Sequence, residues 1–376
     1  MKVLHLISGG DTGGAKTHLI SLVKGLNKII DAKVICFIED TFYEDVKKAN
    51  IDIEVYEQKS RSDMSVVNRL VDEIKEKDYD IIHCHGARAN FVGMFLKRKI
   101  DRPMVTTIHS DYKLDFKDNF YKKLVFTTLN TIALKRFKYY IAISDNFKDM
   151  LIHRGFNPDS IYIAYNGIDL DAKPKYVPRQ EFLHRYGIDG ENKIIVGIAA
   201  RLDLVKDHET FIKAADKVLK NRQDVLFLIA GEGNDGHRLK AMVEDLGIGE
   251  YVHFLGHVND PYSFFNTIDI NVLTSISESF PYVILEGAMM KKMIISTKVG
   301  GVGKLIEDGH NGYLIDVKDS IALAERINSL LDNRDMIENM GKNLYMDVEE
   351  RFSSDSMAKT HVKIYEEIIE RWRIHR

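Results

Sequence analysis

This sequence predicts an α/β fold of two doubly wound parallel-sheet domains, on three observations. The chain has 376 residues, and at roughly 100–200 residues per domain that length favours two. Short runs rich in Val, Ile and Leu alternate with longer segments of helical apolar spacing, as βαβ units require. The alternation breaks once, at Lys173-Pro174-Lys175-Tyr176-Val177-Pro178, which holds two of the six prolines and follows the turn signal Asn166-Gly167.

In the first half, residues 3–7 read as a strand ending in Gly9, Gly10, Gly13 and Gly14. Residues 17–26 carry Leu19, Ile20, Leu22, Val23 and Leu26 at helical spacing. Residues 33–38 form a second apolar run, 64–77 a helix, and 80–84, 104–108 and 139–144 buried strands. In the second half, strands are expected at 193–199, 225–230, 252–255, 270–273 and 293–296. Helices are expected at 209–219, 236–246 and from about 320 to 376. The domains are therefore placed at 1–172 and 173–356, with a ligand cleft between them beyond the carboxyl ends of the strands.

Composition narrows the class. Apolar residues make up 45% and charged residues 29%, an ordinary globular mixture and not a disordered one. With 53 basic and 56 acidic side chains the net charge is −3, which disfavours a nucleic-acid partner. Two cysteines, Cys36 and Cys84, give neither a disulfide framework nor a CxxC metal pair. The apolar start is too short for a signal peptide, and no stretch of about 18 apolar residues occurs. A cytoplasmic protein is expected. Its charge is uneven. Residues 1–170 hold 26 basic and 23 acidic side chains, and residues 171–376 hold 27 and 33. The basic excess lies between Lys97 and Lys138, with eleven basic and four acidic residues, interleaved with Tyr112, Phe116, Phe120, Tyr121, Phe126 and Phe137. That mixture suits either an anionic membrane surface or a solvated helical face with its aromatics in the core.

Several motifs carry chemistry. Gly9-Gly10-Asp11-Thr12-Gly13-Gly14 lies between a strand and a helix, where backbone N–H groups approach a phosphate or simply make a tight turn. Ala15 leaves it one residue short of a P-loop. Arg201 and Lys206 follow the strand at 193–199; a fork and a point charge there suit a diphosphate, or are solvated loop charges. Gly231-Glu232-Gly233-Asn234-Asp235-Gly236 matches GxGxxG, but no acid follows until Asp260, which disfavours a dinucleotide oxidoreductase. Glu278 and Glu286 flank Pro281, which suits a first helical turn. A carboxylate accepts two hydrogen bonds from a vicinal diol, as in a sugar or ribose. Glu286 lies in an otherwise apolar helix and fits a surface role poorly. Val299-Gly300-Gly301-Val302-Gly303 opens a further helix or makes a turn. His83 and His85 share one face of a strand; with no further ligands in sight, a strand end facing the cleft is favoured over a metal site.

In their order these motifs, with Thr107-Ile108-His109, Ala142-Ile143-Ser144, Tyr165-Asn166-Gly167-Ile168-Asp169 and Phe254-Leu255-Gly256, give the chain its likeness. It resembles the retaining glycosyltransferases of family 4, with the two-domain GT-B fold, over nearly its whole length. The resemblance implies that Arg201 and Lys206 bind the donor diphosphate, Glu286 the ribose hydroxyls and Glu278 the transferred sugar. His109 would lie against that sugar, and Gly14 would offer its N–H to the distal phosphate. Gly13, Asn166, Gly300 and Gly301 would fall in donor-binding segments, and backbone near Glu232, Phe254 and Leu255 would line the base pocket. The last helix, 357–376, would return to the first domain, with Trp372 as anchor. Two positions depart from the family's habit: Lys16 stands where Glu is common, and Gly303-Lys304 where Pro-Glu is common. The implied activity is transfer, with retention, from a nucleotide sugar, most simply a UDP-sugar, without metal or other cofactor. The implied acceptor is a small molecule or a lipid-linked or cell-surface glycan precursor, with peripheral contact at the inner membrane face. A nucleotide-sugar epimerase on the same fold and a non-catalytic nucleotide-sugar binder are the alternatives.

Overall fold

The computed structural model describes residues 1–10, 14–60, 63–113 and 120–375, and all their side chains except those of 120–126. It divides into two compact units, Met1–Asp169 with Phe352–Arg376, and Leu170–Arg351.

The first unit runs β1 (Lys2–Ile7), α1 (Gly14–Leu26), β2 (Asp31–Cys36), α2 (Thr41–Lys48), β3 (Ile53–Val55), α3 (Ser65–Lys77) and β4 (Ile81–His85). It continues through α4 (Gly86–Leu96), β5 (Met104–Ile108), α5 (Phe120–Leu134), β6 (Tyr139–Ala142), α6 (Asp145–His153) and β7 (Ile161–Ile163). Its seven strands are parallel in the order β3-β2-β1-β4-β5-β6-β7. The order reverses between β1 and β4, the switch point at which ligands enter such sheets. Strand β4 is buried along its whole length, as a strand covered on both faces must be.

The second unit runs α7 (Arg179–Arg185), β8 (Ile194–Ala199), α8 (His208–Leu219), β9 (Val225–Ala230), α9 (Gly236–Asp245), β10 (Val252–Gly256) and α10 (Pro261–Thr267). Then come β11 (Ile270–Leu273), α11 (Tyr282–Met289), β12 (Met293–Thr297), α12 (Val302–Leu305), β13 (Gly312–Ile315), α13 (Ser320–Leu331) and α14 (Arg334–Arg351). The sheet order is β10-β9-β8-β11-β12-β13, parallel throughout, with its switch point between β8 and β11. Strands β3, β7 and β13 were not expected; β3 and β7 have three residues, too few for a periodic signal, and β13 is a short run that opens on Gly312.

Helix α15 (Ser354–Ile374) belongs to the first unit. Its Met357, Ala358, Ile364, Tyr365 and Ile368 share a core with Leu19, Leu22, Val23 and Leu26 of α1. Arg371 adds a bond to the Asp159 carbonyl at 2.7 Å. The unit boundaries fall a few residues before the expected 172/173 and 356/357 because the backbone of Ile168 bonds both Phe352 O (3.0 Å) and Ser354 N (2.8 Å).

In the 97–138 segment, residues 114–119 and the side chains of 120–126 lie outside the described residues, and with them Phe116, Phe120, Tyr121 and Phe126. Tyr112 and Phe137 are core residues. Lys97 bonds the Arg136 carbonyl, Lys99 bonds Asn68 and Arg102 pairs with Asp78. Leu129 and Ile132 of α5 are exposed. Among the described residues no helix is long and apolar enough to cross a membrane.

Candidate functional site

The second unit gathers its polar groups at the β8/β11 switch point. After β8, Asp203 Oδ1 accepts the N–H groups of Val205 and Lys206, both at 3.1 Å, and so turns the loop back. Thr274 Oγ1 donates to Lys206 O (2.9 Å), and Ile276 N to Val205 O (2.8 Å), which ties this loop to the one leaving β11. The result brings Lys206 Nζ to 2.6 Å from Glu278 Oε1, and Ser275 Oγ donates to the same oxygen at 2.6 Å. Both charged side chains are mostly shielded, with 20% and 10% exposure. Arg201 is the opposite: its side chain is 81% exposed, with Nη2 3.2 Å from Asp203 Oδ2.

Arg201 stands at the lip of an open cavity of about 230 Å³, whose walls include Ala199, Gly231, Glu232, His257 and Val258. Glu232 Oε1 accepts the N–H of His257 at 3.2 Å. Gly231 has φ +143°, and a Cβ there would lie 2.0 Å from Ala200 O. The glycine therefore lets the loop after β9 close on the loop after β8. Leu255 points into the core, and Phe254 lies under the Lys240 ammonium, so β10 contributes to the cavity through the two residues beyond its end.

Gly300 and Gly301 support Glu278. Gly300 sits at φ +52° and a Cβ would fall 1.8 Å from Glu278 O, while Gly301 N bonds Ser279 O at 2.7 Å. Glu286 lies on α11 beside Tyr282, half-buried and not among the residues lining the cavity. Burial pushes its carboxyl up to about 7, and burial with that carboxyl raises the Tyr282 phenol well above its ordinary range. Sequence reasoning missed His208, at the start of α8. It is buried with neither ring nitrogen hydrogen-bonded among the described residues, and burial brings it down to about 4.

In the first unit, Gly13 lies outside the described residues and Gly14 is the exposed first residue of α1. Lys16 pairs with Asp45 of α2. His109 follows β5, half-buried, and joins five more imidazoles: His5, His18, His83, His85 and His361. Strand register explains part of this, since His5 pairs with His83 across β1 and β4. His5 Nδ1 lies 3.0 Å from His85 Nε2, and His85 Nδ1 lies 3.2 Å from His109 Nε2. Both nitrogens of His83 are engaged, by Tyr365 Oη (2.6 Å) and Thr107 Oγ1 (2.7 Å). Asn166 is buried and its Oδ1 meets His18 Nδ1 at 2.9 Å. Burial holds the whole cluster neutral: His5 falls to about 3, His109 and His361 to about 4, and His18, His83 and His85 well below their ordinary value. Sequence reasoning found His83, His85 and His109 but missed His5, His18 and His361, so its objection that no further ligands lie nearby does not hold. Among the described residues, His5/His83/His85 and His18/His85/His109 each bring three donor nitrogens within 4.8 Å of one another.

Comparison with known proteins follows the same division. Residues 12–172 match the family described as Glycosyltransferase Family 4, and residues 179–346 match Glycosyl transferases group 1. The N-acetyl-alpha-D-glucosaminyl L-malate synthase of Bacillus anthracis is 26% identical over 314 residues, covering 82% of this chain and 80% of that one. The UDP-Gal:alpha-D-GlcNAc-diphosphoundecaprenol alpha-1,3-galactosyltransferase of Escherichia coli is 25% identical over 287 residues, 75% of this chain and 73% of that one. Among solved structures, Anabaena HepE in complex with UDP superposes with a TM-score of 0.80 at 24% identity, covering 98% of this chain and 100% of that one.

Proposed function

We propose, for a chain that is a family-4, group 1 glycosyltransferase of GT-B fold, that it moves a sugar from UDP to an acceptor hydroxyl with retention of configuration. The observation that carries this reading is the Lys206–Glu278–Ser275 cluster at the second unit's switch point, linked through Asp203 to Arg201. Lys206 and Arg201 neutralise the diphosphate as it departs. Pre-aimed cations act most strongly where charge develops and need no reorganisation at the moment of reaction. For this reason the donor site needs no divalent ion. Lys206 and Ser275 hold Glu278 by Oε1, which leaves Oε2 to accept from hydroxyls of the transferred sugar. The cavity by His257 and Val258 takes the base, and Glu286 the ribose.

The transition state is oxocarbenium-like. The acceptor attacks from the face the diphosphate leaves, and a phosphate oxygen takes the acceptor proton. This route needs no protein nucleophile. UDP as carrier is supported by the UDP complex of HepE. The alpha linkages and the lipid-linked and small acceptors in the relatives' names support retention and a hydroxyl of one of those two classes. The first unit takes the acceptor, and its α5 surface, with Leu129 and Ile132 exposed beside Lys135, Arg136 and Lys138, meets the membrane that carries a lipid-linked one.

A thermal-shift screen of nucleotide sugars tests the donor, because a ligand bound only by the folded state raises its melting temperature. Product analysis then tests the reaction. UDP released only with acceptor, together with an alpha-linked product from an alpha-linked donor, supports the reading. Donor isomerised without acceptor, or a beta-linked product, overturns it.

A further inference from the structure

The histidine cluster of the first unit holds a feature that the Lys206–Glu278 site does not account for. His18 Nδ1 meets Asn166 Oδ1 at 2.9 Å. An amide oxygen only accepts, so Nδ1 carries the proton and Nε2 carries a lone pair. That Nε2 is buried and has no hydrogen-bond partner among the described residues. When His85 Nε2 donates to His5 Nδ1 (3.0 Å), His85 Nδ1 is also left with a lone pair. It faces His109 Nε2 at 3.2 Å. Two ligand bonds of about 2.0–2.1 Å at a tetrahedral angle place their nitrogens roughly 3.3 Å apart.

We propose that His18 Nε2, His85 Nδ1 and His109 Nε2 bind one borderline divalent ion of the Zn²⁺ class, with the fourth tetrahedral position open to water. Three neutral imidazoles without a carboxylate select Zn²⁺, Co²⁺, Ni²⁺ or Cu²⁺ over Mg²⁺ or Ca²⁺. Asn166 and His5 act behind the ligands, fixing the ring that each of His18 and His85 presents. The deeper trio is excluded because both nitrogens of His83 are committed to Tyr365 and Thr107. Entry is by His109, the half-buried member; His18 and His85 are fully buried. The ion would tie α1 to the ends of β4 and β5. The site rests on residues of the first unit alone; it shares His109 and Asn166 with the transferase reading, and its test reads metal binding and not turnover, so the two can fail separately.

The test uses the full chain without an affinity tag, stripped of metal and titrated with Co²⁺. The expected result is one equivalent bound, with the strong visible absorption of a tetrahedral Co²⁺ centre, displaced by one equivalent of Zn²⁺. His109→Gln and His18→Gln each lose about a hundredfold or more in affinity, Asn166→Ala about tenfold to a hundredfold, and His83→Gln keeps the centre. Circular dichroism of the metal-free variants identifies any that fails to fold, and the ligand variant that folds decides. The absence of a saturable one-equivalent site overturns the proposal. So does full affinity in a folded His109→Gln or His18→Gln chain, or loss in His83→Gln alone.

Discussion

Lys206 and Glu278 are 72 residues apart in sequence, yet Nζ and Oε1 stand 2.6 Å apart. The pair closes the loops that leave the two strands flanking the switch point, so one contact both shapes the site and sets its charge.

Lys206→Ala should lower turnover by about a hundredfold or more, the scale for removing one pre-aimed donor from a developing charge, with the fold retained. Because Lys206 and Glu278 touch, Lys206→Met and Glu278→Gln should not add in a double-mutant cycle; the coupling should be about 0.5–3 kcal/mol. Steady-state kinetics with unfolding curves checks both. Near-normal turnover in Lys206→Ala removes it from the site.

Glu286 makes stability depend on pH. Its folded value, about 7, lies above the unfolded one of about 4.3. The folded state therefore binds more protons between those values, and stability falls as pH rises through that window before levelling off. Glu286→Gln abolishes this slope. Urea unfolding should show the variant gaining on the parent from pH 5 to pH 8; equal differences at both pH values count against the assignment.

Gly300→Ala should be costly and Gly303→Ala nearly neutral. The first has φ +52° and a new Cβ 1.8 Å from Glu278 O, whereas a Cβ at the second meets nothing within 4 Å. Backbone strain of this kind costs about 1–3 kcal/mol, and displacement of Glu278 should lower turnover as well. Melting temperature and activity, read together, separate the two effects.

His208→Leu should stabilise the chain, because two buried ring nitrogens without partners are replaced by an apolar side chain. The wild-type imidazole falls from about 6.5 unfolded to about 4 folded. The unfolded state thus takes up the proton first, and wild-type stability declines as pH drops between those values. The variant's advantage should grow from pH 7 to pH 4.5 in thermal melts.

The α5 surface should bring the protein down with liposomes rich in anionic lipid at low salt, and release it as salt screens the charge. Lys135→Glu with Lys138→Glu should weaken sedimentation; its persistence unchanged would assign the binding elsewhere.

Much of this was legible in the sequence because it is local. Strand β8 and the cations after it occupy one short stretch, and Glu278, Pro281 and Glu286 sit in another. Gly300 was visible as a turn, but its purpose depends on a carbonyl 22 residues upstream. The histidine cluster was hidden for the same reason on a larger scale. His5, His18 and His361 come from β1, α1 and α15, and only register and the return of α15 bring them to His83 and His85. The aromatics of 97–138 show the limit of composition: Tyr112 and Phe137 went to the core, which shifts the surface argument to Leu129, Ile132 and the cations.

The placement of α15 has a consequence for synthesis. The ribosome makes it after the whole of Leu170–Arg351, yet Tyr365 and Ile368 belong to the core of the unit that began with β1. Domains ordinarily fold in the order they emerge. Here the second unit, continuous in sequence, is complete first, while the nascent N-terminal sheet waits with the apolar face of α1 uncovered. That interval is when a chaperone or an aggregating neighbour has access, and shortening the chain within α15 would make it permanent.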